Sequence, residues 1–404
     1  MFQGPQSIRR PMAAAALLCV LAAVGACSTP PSNGGGPGGG TLVPESPVPV
    51  GDDTVRINEM QALGTHNSYH LAPESALLNW LRVGSSAFPA IATALGNPED
   101  LNYTHAPLPT QLARGLRTFE LDVAADPQGG LYAAPLLPQL LNLGYPALGA
   151  DMTAPGMKVV HIQDIDYLST CQPLLDCLAE LRTFSDAQPD HLPIVVNIEA
   201  KEELLPEPFN STVPVPFTAE QFDALDAEIR SVLGDRLITP DDVRGDQPDL
   251  RTAVTTVGWP TVAESRGKFL FFLDNGDRRT TYLQDHPGLQ GRVMFTSSGF
   301  GQPDGALLKV NGPGDGSFIR SLVEQGFMVR TRADDTPSNP SAAQRDIALA
   351  SGAQVVHTDF PRGEFQTQGG YGVEFPTRVQ ARCNPVVPGT CQPAALVERS
   401  YLTP

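Results

Sequence analysis

A chain of 404 residues can hold one large domain or two ordinary ones, and a (β/α)8 barrel needs about 250 residues or more as a single unit. Its composition, 41% hydrophobic and 18% charged, supplies the apolar material for a sizeable core and excludes disorder of the whole chain. A formal charge of -17 repels phosphate-rich surfaces, so nucleic acid is not an expected partner and any membrane contact must come from something other than bulk charge.

Arg9 and Arg10 precede an apolar run from Met12 to Val24. The run is long enough for the core of an export signal and too short to span a bilayer as a stable helix. It closes in Val24-Gly25-Ala26-Cys27, which resembles a bacterial lipobox, whose cysteine carries lipid and becomes the mature N-terminus; an ordinary signal cut nearby, giving a secreted protein, is the alternative. Residues 27–53, with the glycine-rich stretch Gly34 to Gly40, are too poor in apolar residues to fold and read as a flexible tether. We therefore expect a signal peptide over 1–26, a linker over 27–53 and one folded domain over 54–404. The expected product is an exported, extracytoplasmic and monomeric lipoprotein, held on a membrane through Cys27.

Short β-branched or apolar runs then alternate with helical patterns, the signature of βα units and a parallel sheet. The runs are Met60 to Gly64, Thr118 to Val123, Lys158 to Gln163, Ile194 to Ala200, Lys268 to Asp274, Arg292 to Thr296, Phe327 to Arg332 and Gln354 to Asp359. Helices are predicted over Pro109 to Gly115, Pro173 to Ser185, Thr218 to Leu233, Gly316 to Gln325 and Ser341 to Ser351. Thr218 followed three positions later by Gln221 is a hydroxyl cap signal. Eight strands with intervening helices predict a TIM (β/α)8 barrel. An open doubly wound sheet is the alternative, but no strand is followed by a dinucleotide or Walker glycine loop.

Two connections, 71–108 and 124–157, exceed what a minimal barrel needs, and both leave strand C-termini, where barrel enzymes build their sites. The apolar stretch Leu131 to Leu143 in the second either touches lipid or a partner, or packs on its own barrel. Setting aside Cys19 and Cys27, Cys171, Cys177, Cys383 and Cys391 remain. In an oxidising compartment they can pair locally as 171 with 177 and 383 with 391, although four cysteines allow three connectivities. Neither pair has the CxxC spacing of a cysteine zinc site.

Polar residues interrupt the predicted strands at their ends. His66 and Asn67 close the first, Glu120 and Asp122 sit two apart in the second, His161 lies in the third and Glu199 ends the fourth. Residues two apart in a strand share a face, so Glu120 and Asp122 point the same way. A lone buried histidine or strand carboxylate is more often structural; six such residues at the ends of four successive strands point to one cleft. Two carboxylates about 5 Å apart repel by roughly 3 kcal/mol at an effective dielectric near 20, so protons or a cation must relieve three of them. Asn67, Glu120, Asp122 and Glu199 offer only hard oxygen donors, which suits Ca²⁺ and, less well, a Mg²⁺ that keeps its waters. His66 and His161 are then free for proton transfer.

The segments Leu63-Gly64-Thr65-His66-Asn67-Ser68-Tyr69, Gln111 to Val123, Val159-Val160-His161 and Asn197-Ile198-Glu199-Ala200-Lys201 resemble the catalytic half of phosphoinositide-specific phospholipase C. They are most similar to its bacterial calcium-dependent group, within the TIM-barrel phosphodiesterase superfamily. The resemblance implies Asn67, Glu120, Asp122 and Glu199 as calcium ligands, His66 and His161 as catalytic histidines, and Lys201 near the headgroup. Gly326 to Asp334 and Val355 to Pro361 look like the last two strands of that superfamily, which adds Arg330 as a substrate-binding candidate. The implied activity is calcium-dependent cleavage of phosphatidylinositol-type lipids to diacylglycerol and a cyclic inositol phosphate. Rival expectations are a glycerophosphodiester phosphodiesterase, which prefers His-Arg where this chain has His66-Asn67, and a non-catalytic headgroup-binding lipoprotein, which would not require two proton donors.

Overall fold

The computed structural model describes residues 50–87, 93, 96–143, 152–205, 211–364, 370–377, 379–387, 389 and 391–398. The expected signal peptide, Cys27 and tether residues 27–49 lie outside the described residues. Residues 50–53, at the end of the expected tether, are fastened to the folded domain: Asp52 pairs with Arg266 at 2.8 Å and the Val50 amide bonds the Ala394 carbonyl at 3.4 Å.

The strands are β1 (Met60–Thr65), β2 (Thr118–Ala124), β3 (Lys158–Val159), β4 (Ile194–Lys201), β5 (Phe269–Leu273), β6 (Met294–Thr296), β7 (Leu307–Lys309), β8 (Met328–Arg332), β9 (Val355–Thr358) and β10 (Ala381–Cys383). Eight run parallel in the order β6-β5-β4-β2-β1-β9-β8-β7. With no pairing between β6 and β7 among the described residues, they form a nearly closed TIM-type barrel, as the strand and helix alternation predicts. The five predicted helices are present, and Thr218 caps its helix by accepting from the Gln221 amide at 3.4 Å.

Two strand expectations are corrected. The run Lys158 to Gln163 is not a barrel strand: only β3 is extended, and it pairs antiparallel with the top of β2. The cause is register, because β1 meets β2 only at Gly64 and Thr118 and leaves the upper end of β2 exposed for β3 to cover. The eighth barrel strand is instead β7.

Strand β2 shows why the sequence folds this way. Phe119, Leu121 and Val123 join the outer core with Leu112, Leu174 and Leu178 from the flanking helices, while the alternate residues Thr118, Glu120 and Asp122 face the barrel. Each of the apolar three is fully buried, and each stabilises by about 1.5–3 kcal/mol relative to exposure. At the barrel's foot, Arg117 forms a fully buried ion pair with Glu398, and Glu398 also accepts from the Leu192 amide at 2.7 Å.

The apolar stretch 131–143 packs on its own protein. Tyr132 and Leu137, with Met152, join Leu77, Leu81, Leu101, Val160, Ile165 and Tyr167 in a second cluster, although Leu140 stays exposed. Both expected disulfides, Cys171–Cys177 and Cys383–Cys391, are formed.

Gly64 sets the contact between β1 and β2, since a Cβ there would stand 1.7 Å from the Thr118 carbonyl oxygen. Gly64→Ala is expected to cost about 3 kcal/mol by overpacking, measurable as a lower midpoint in urea unfolding, whereas Gly130→Ala, with open space around it, meets only the strain of its positive φ.

Candidate active site

The site stands at the C-terminal ends of the strands, where the inward positions of β1, β2, β4, β7, β8 and β9 converge. His66 follows β1 directly. Its amide bonds the Thr358 carbonyl at 3.1 Å, and its Nδ1 faces the Asp359 carboxylate at 2.8 Å. Asp359 is wholly buried; burial alone would raise its pKa, but His66 and Arg332 outweigh that and hold it well below the usual carboxylate range. Asn67 adopts a left-handed backbone, with φ at 44°, and its side-chain amide donates to the Tyr103 hydroxyl at 3.1 Å. That leaves the side-chain carbonyl oxygen as the Asn67 atom able to ligate a cation.

The pairing of β2 with β4 sets Glu120 beside Asn197 and Asp122 beside Glu199. Oxygens of Glu120, Asp122 and Glu199 lie within 4.8 Å of one another, so the expected carboxylate cluster exists. Its members are stabilised unequally. Burial works against ionising Glu120, but Arg330, His66 and His357 outweigh it and pull its pKa well below normal. Glu199 is likewise opposed by burial and lowered by Lys201, whose Nζ lies 3.0 Å away. Asp122 is pushed well up, first by burial and then by Glu199, despite Lys201 at 3.4 Å.

Both Asp122 oxygens are buried without a hydrogen-bond partner, an arrangement that costs about 1–3 kcal/mol or more per group if left unanswered. Three close carboxylates, Asp122 among them with neither oxygen hydrogen-bonded, and an amide carbonyl fit a hard divalent cation, and calcium above the others.

His161 lies just beyond β3, fixed because the Val160 amide bonds the Asp122 carbonyl at 3.1 Å. Its Nδ1 faces Asp166 Oδ2 at 2.6 Å, and the same oxygen receives His70 Nε2 at 2.8 Å. Burial would raise Asp166; His70 and His161 bring it down to about 2 instead. Burial lowers the pKa of His161, and Asp166 opposes this. The two predicted histidines thus share one design, with Nδ1 on a buried aspartate and Nε2 left toward the cleft. His66 contributes to depressing Glu120 and His161 to depressing Glu199, so both rings act on the carboxylate cluster.

Lys201 lies between Asp122 and Glu199, where it serves as their counter-ion. Arg330 is buried, bonded to Glu120 and Asn311 and 3.2 Å from His357 Nδ1, so in this arrangement its guanidinium fixes Glu120. Sequence reasoning missed Arg332, two residues on and on the same face, which bonds Asp359 at 2.7 Å and stands 3.4 Å from His66 Nε2. It also missed Asp166, Tyr103 and His357, the last wholly buried and lowered by that burial to about 4. The alternation Arg330-x-Arg332 was the available signal for Arg332; Asp166 lies in a loop, where no periodicity marks a partner.

Residues 55–385 match the family "Phosphoinositide phospholipase C, Ca2+-dependent". Among solved structures, a calcium-dependent phosphoinositol-specific phospholipase C from Pseudomonas sp., in its apo form, aligns with a TM-score of 0.52 and 16% identity over 84% of this chain and 99% of that one. Its myo-inositol complex aligns with a TM-score of 0.51 at 16% identity, over the same shares of each chain. Comparison with curated proteins yields no match. The chain belongs to the calcium-dependent phosphoinositide phospholipase C family. It is therefore an enzyme, a phosphodiesterase acting on phosphatidylinositol with calcium as its cofactor.

Calcium binding only the folded state is expected to add about 2.7 kcal/mol of stability at 100 times its Kd. Thermal unfolding with calcium or chelator checks this, and Asp122→Asn is expected to lose most of the calcium-dependent rise while still folding without the ion.

Proposed function

We propose that the enzyme cleaves phosphatidylinositol to diacylglycerol and a cyclic inositol phosphate, with His161 and His66 as its proton-handling groups. The observation that carries this reading is the pair of histidines, each held through Nδ1 by a buried aspartate, beside a three-carboxylate cluster. Asn67, Glu120, Asp122 and Glu199 would hold calcium, which when bound would supply Lewis-acid charge to the reacting phosphodiester.

The 2-hydroxyl attacks its own phosphodiester, a geometry that needs no positioned water in the first step. His161 delivers a proton from Nε2 to the departing diacylglycerol oxygen. Its burial favours the neutral ring, which makes the protonated ring a stronger acid. Arg332 places positive charge, and His66 a ring nitrogen, where the phosphoryl oxygens gather negative charge. The proton lost by the 2-hydroxyl passes to Glu120, Glu199 or His66; of the two carboxylates Glu199 is the more accessible, with a quarter of its side chain exposed (26%), while Glu120 is held by Arg330 and His357 and is a poor acceptor. Lys201, beside Glu199, is set to meet the headgroup.

An export signal and lipid on Cys27 would place this activity outside the cytoplasm on a membrane anchor, with a phospholipid headgroup as the partner and no second copy of the chain required.

The deciding experiment gives the purified protein phosphatidylinositol and glycerophosphocholine, each with calcium or chelator. Calcium-dependent cyclic inositol phosphate is expected; glycerol phosphate would instead mark a glycerophosphodiester phosphodiesterase, and turnover of neither would mark a binding protein. His161→Ala is expected to lower kcat by about 100- to 10,000-fold. Because Asp166 raises the His161 pKa and the acid must be protonated to act, Asp166→Asn is expected to move the alkaline limb of the kcat profile to lower pH.

A further inference from the structure

The cleft contains a second group of ligand atoms, distinct in chemistry from the oxygen cluster. His70 Nε2, His161 Nδ1 and an Asp166 oxygen lie within 4.8 Å of one another. Both nitrogens converge on the single oxygen Oδ2, at 2.8 and 2.6 Å, while Asp166 Oδ1 is buried with no partner. Two donors shared by a carboxylate ordinarily divide between its oxygens; here all three side chains aim at one point.

His70 carries the further mark of a metal ligand. Its Nδ1 lies 3.0 Å from the Tyr103 carbonyl, which can only accept, so that nitrogen keeps its proton, and Nε2, directed at Asp166, is the atom left to ligate once a metal displaces its proton. A backbone carbonyl holding the remote N–H is the usual support for an imidazole ligand. The ring is also stacked on Tyr103 at 4.1 Å between centroids, which fixes its plane. His70 and Asp166 are wholly buried, and His161, 21% exposed, opens the group to the cleft.

We propose that His70, His161 and Asp166 form an inhibitory binding site for a borderline-soft transition-metal ion such as Zn²⁺, separate from the calcium site. Two imidazoles and one carboxylate suit zinc, with the fourth position open on the cleft side. Zinc bonds of about 2.0–2.2 Å set tetrahedral ligands about 3.3 Å apart, so Asp166 needs to withdraw by about half an ångström from each ring. Binding exchanges protons on His70 Nε2 and His161 Nδ1 for the ion. It costs the enzyme its acid, because a metallated His161 no longer gives up the Nε2 proton at neutral pH. The inhibitory effect, though not the site, rests on the role proposed for His161.

The test titrates Co²⁺, a coloured substitute for Zn²⁺, into the full protein with calcium in excess. One equivalent is expected to bind and show the visible absorption of low-coordinate cobalt with imidazole ligands, a readout that needs no turnover. Zn²⁺ is expected to abolish the band by displacement and to inhibit cleavage in a way that added calcium does not relieve. His70→Gln is expected to weaken Zn²⁺ binding by more than about 100-fold, since loss of even a supporting partner costs 10- to 100-fold; Asp166→Asn serves the same purpose if that variant fails to fold. No cobalt band in the unaltered protein, or zinc inhibition that calcium relieves by competition, overturns the proposal.

Discussion

Repulsion among Glu120, Asp122 and Glu199 is the constraint around which this barrel is organised. Three like charges within 4.8 Å cannot remain bare at roughly 3 kcal/mol per pair, and the protein answers only part of the demand. Arg330 neutralises Glu120 from β8 while His357 hydrogen-bonds it from β9, and Lys201 sits between the other two. Asp122 is left without a hydrogen bond on either oxygen, facing the Lys201 ammonium at 3.4 Å. The barrel interior thus carries an incomplete charge balance of the kind that suits a divalent cation, and the polar lining contributed by β4, β7, β8 and β9 follows from holding that balance in place.

The histidines solve a different problem. An imidazole at the end of a strand can rotate and can carry its proton on either nitrogen, and both freedoms weaken it as an acid. Asp359 and Asp166 remove both, one from the end of β9 and one from the loop after β3. Because those carboxylates are buried and charged, they orient the rings without exchanging protons with solvent.

Much of this was legible in the sequence where a strand carries alternating chemistry. In β2 the series Phe119, Leu121, Val123 against Thr118, Glu120, Asp122 announces both the outer core and the site, and the same holds for Asn197 and Glu199 in β4. The reading failed where local pattern and pairing part company. Lys158 to Gln163 has the apolar character of a barrel strand, but nothing local reveals that β4 already occupies the neighbouring place on β2. Leu307–Lys309 is shorter than any run that periodicity can distinguish from loop, with Gly305 and Gly312 close on either side. Asp166 and Tyr103 join the site only through tertiary contact, so their partners were visible and they were not, whereas Arg332 stood in the strand alternation beside Arg330.

The buried pair of Arg117 and Glu398 gives the far end of the chain an influence on a cleft at the opposite pole of the barrel. Arg117 is the residue before β2, and Leu192, whose amide Glu398 also holds, lies just ahead of β4; these are the two strands that carry all three carboxylates. A truncation stopping short of residue 398 would strand a guanidinium in the interior and unpin both strands at their roots. Shortened versions of this enzyme should therefore be cut beyond that position, and affinity handles belong after it, where they leave the lock intact.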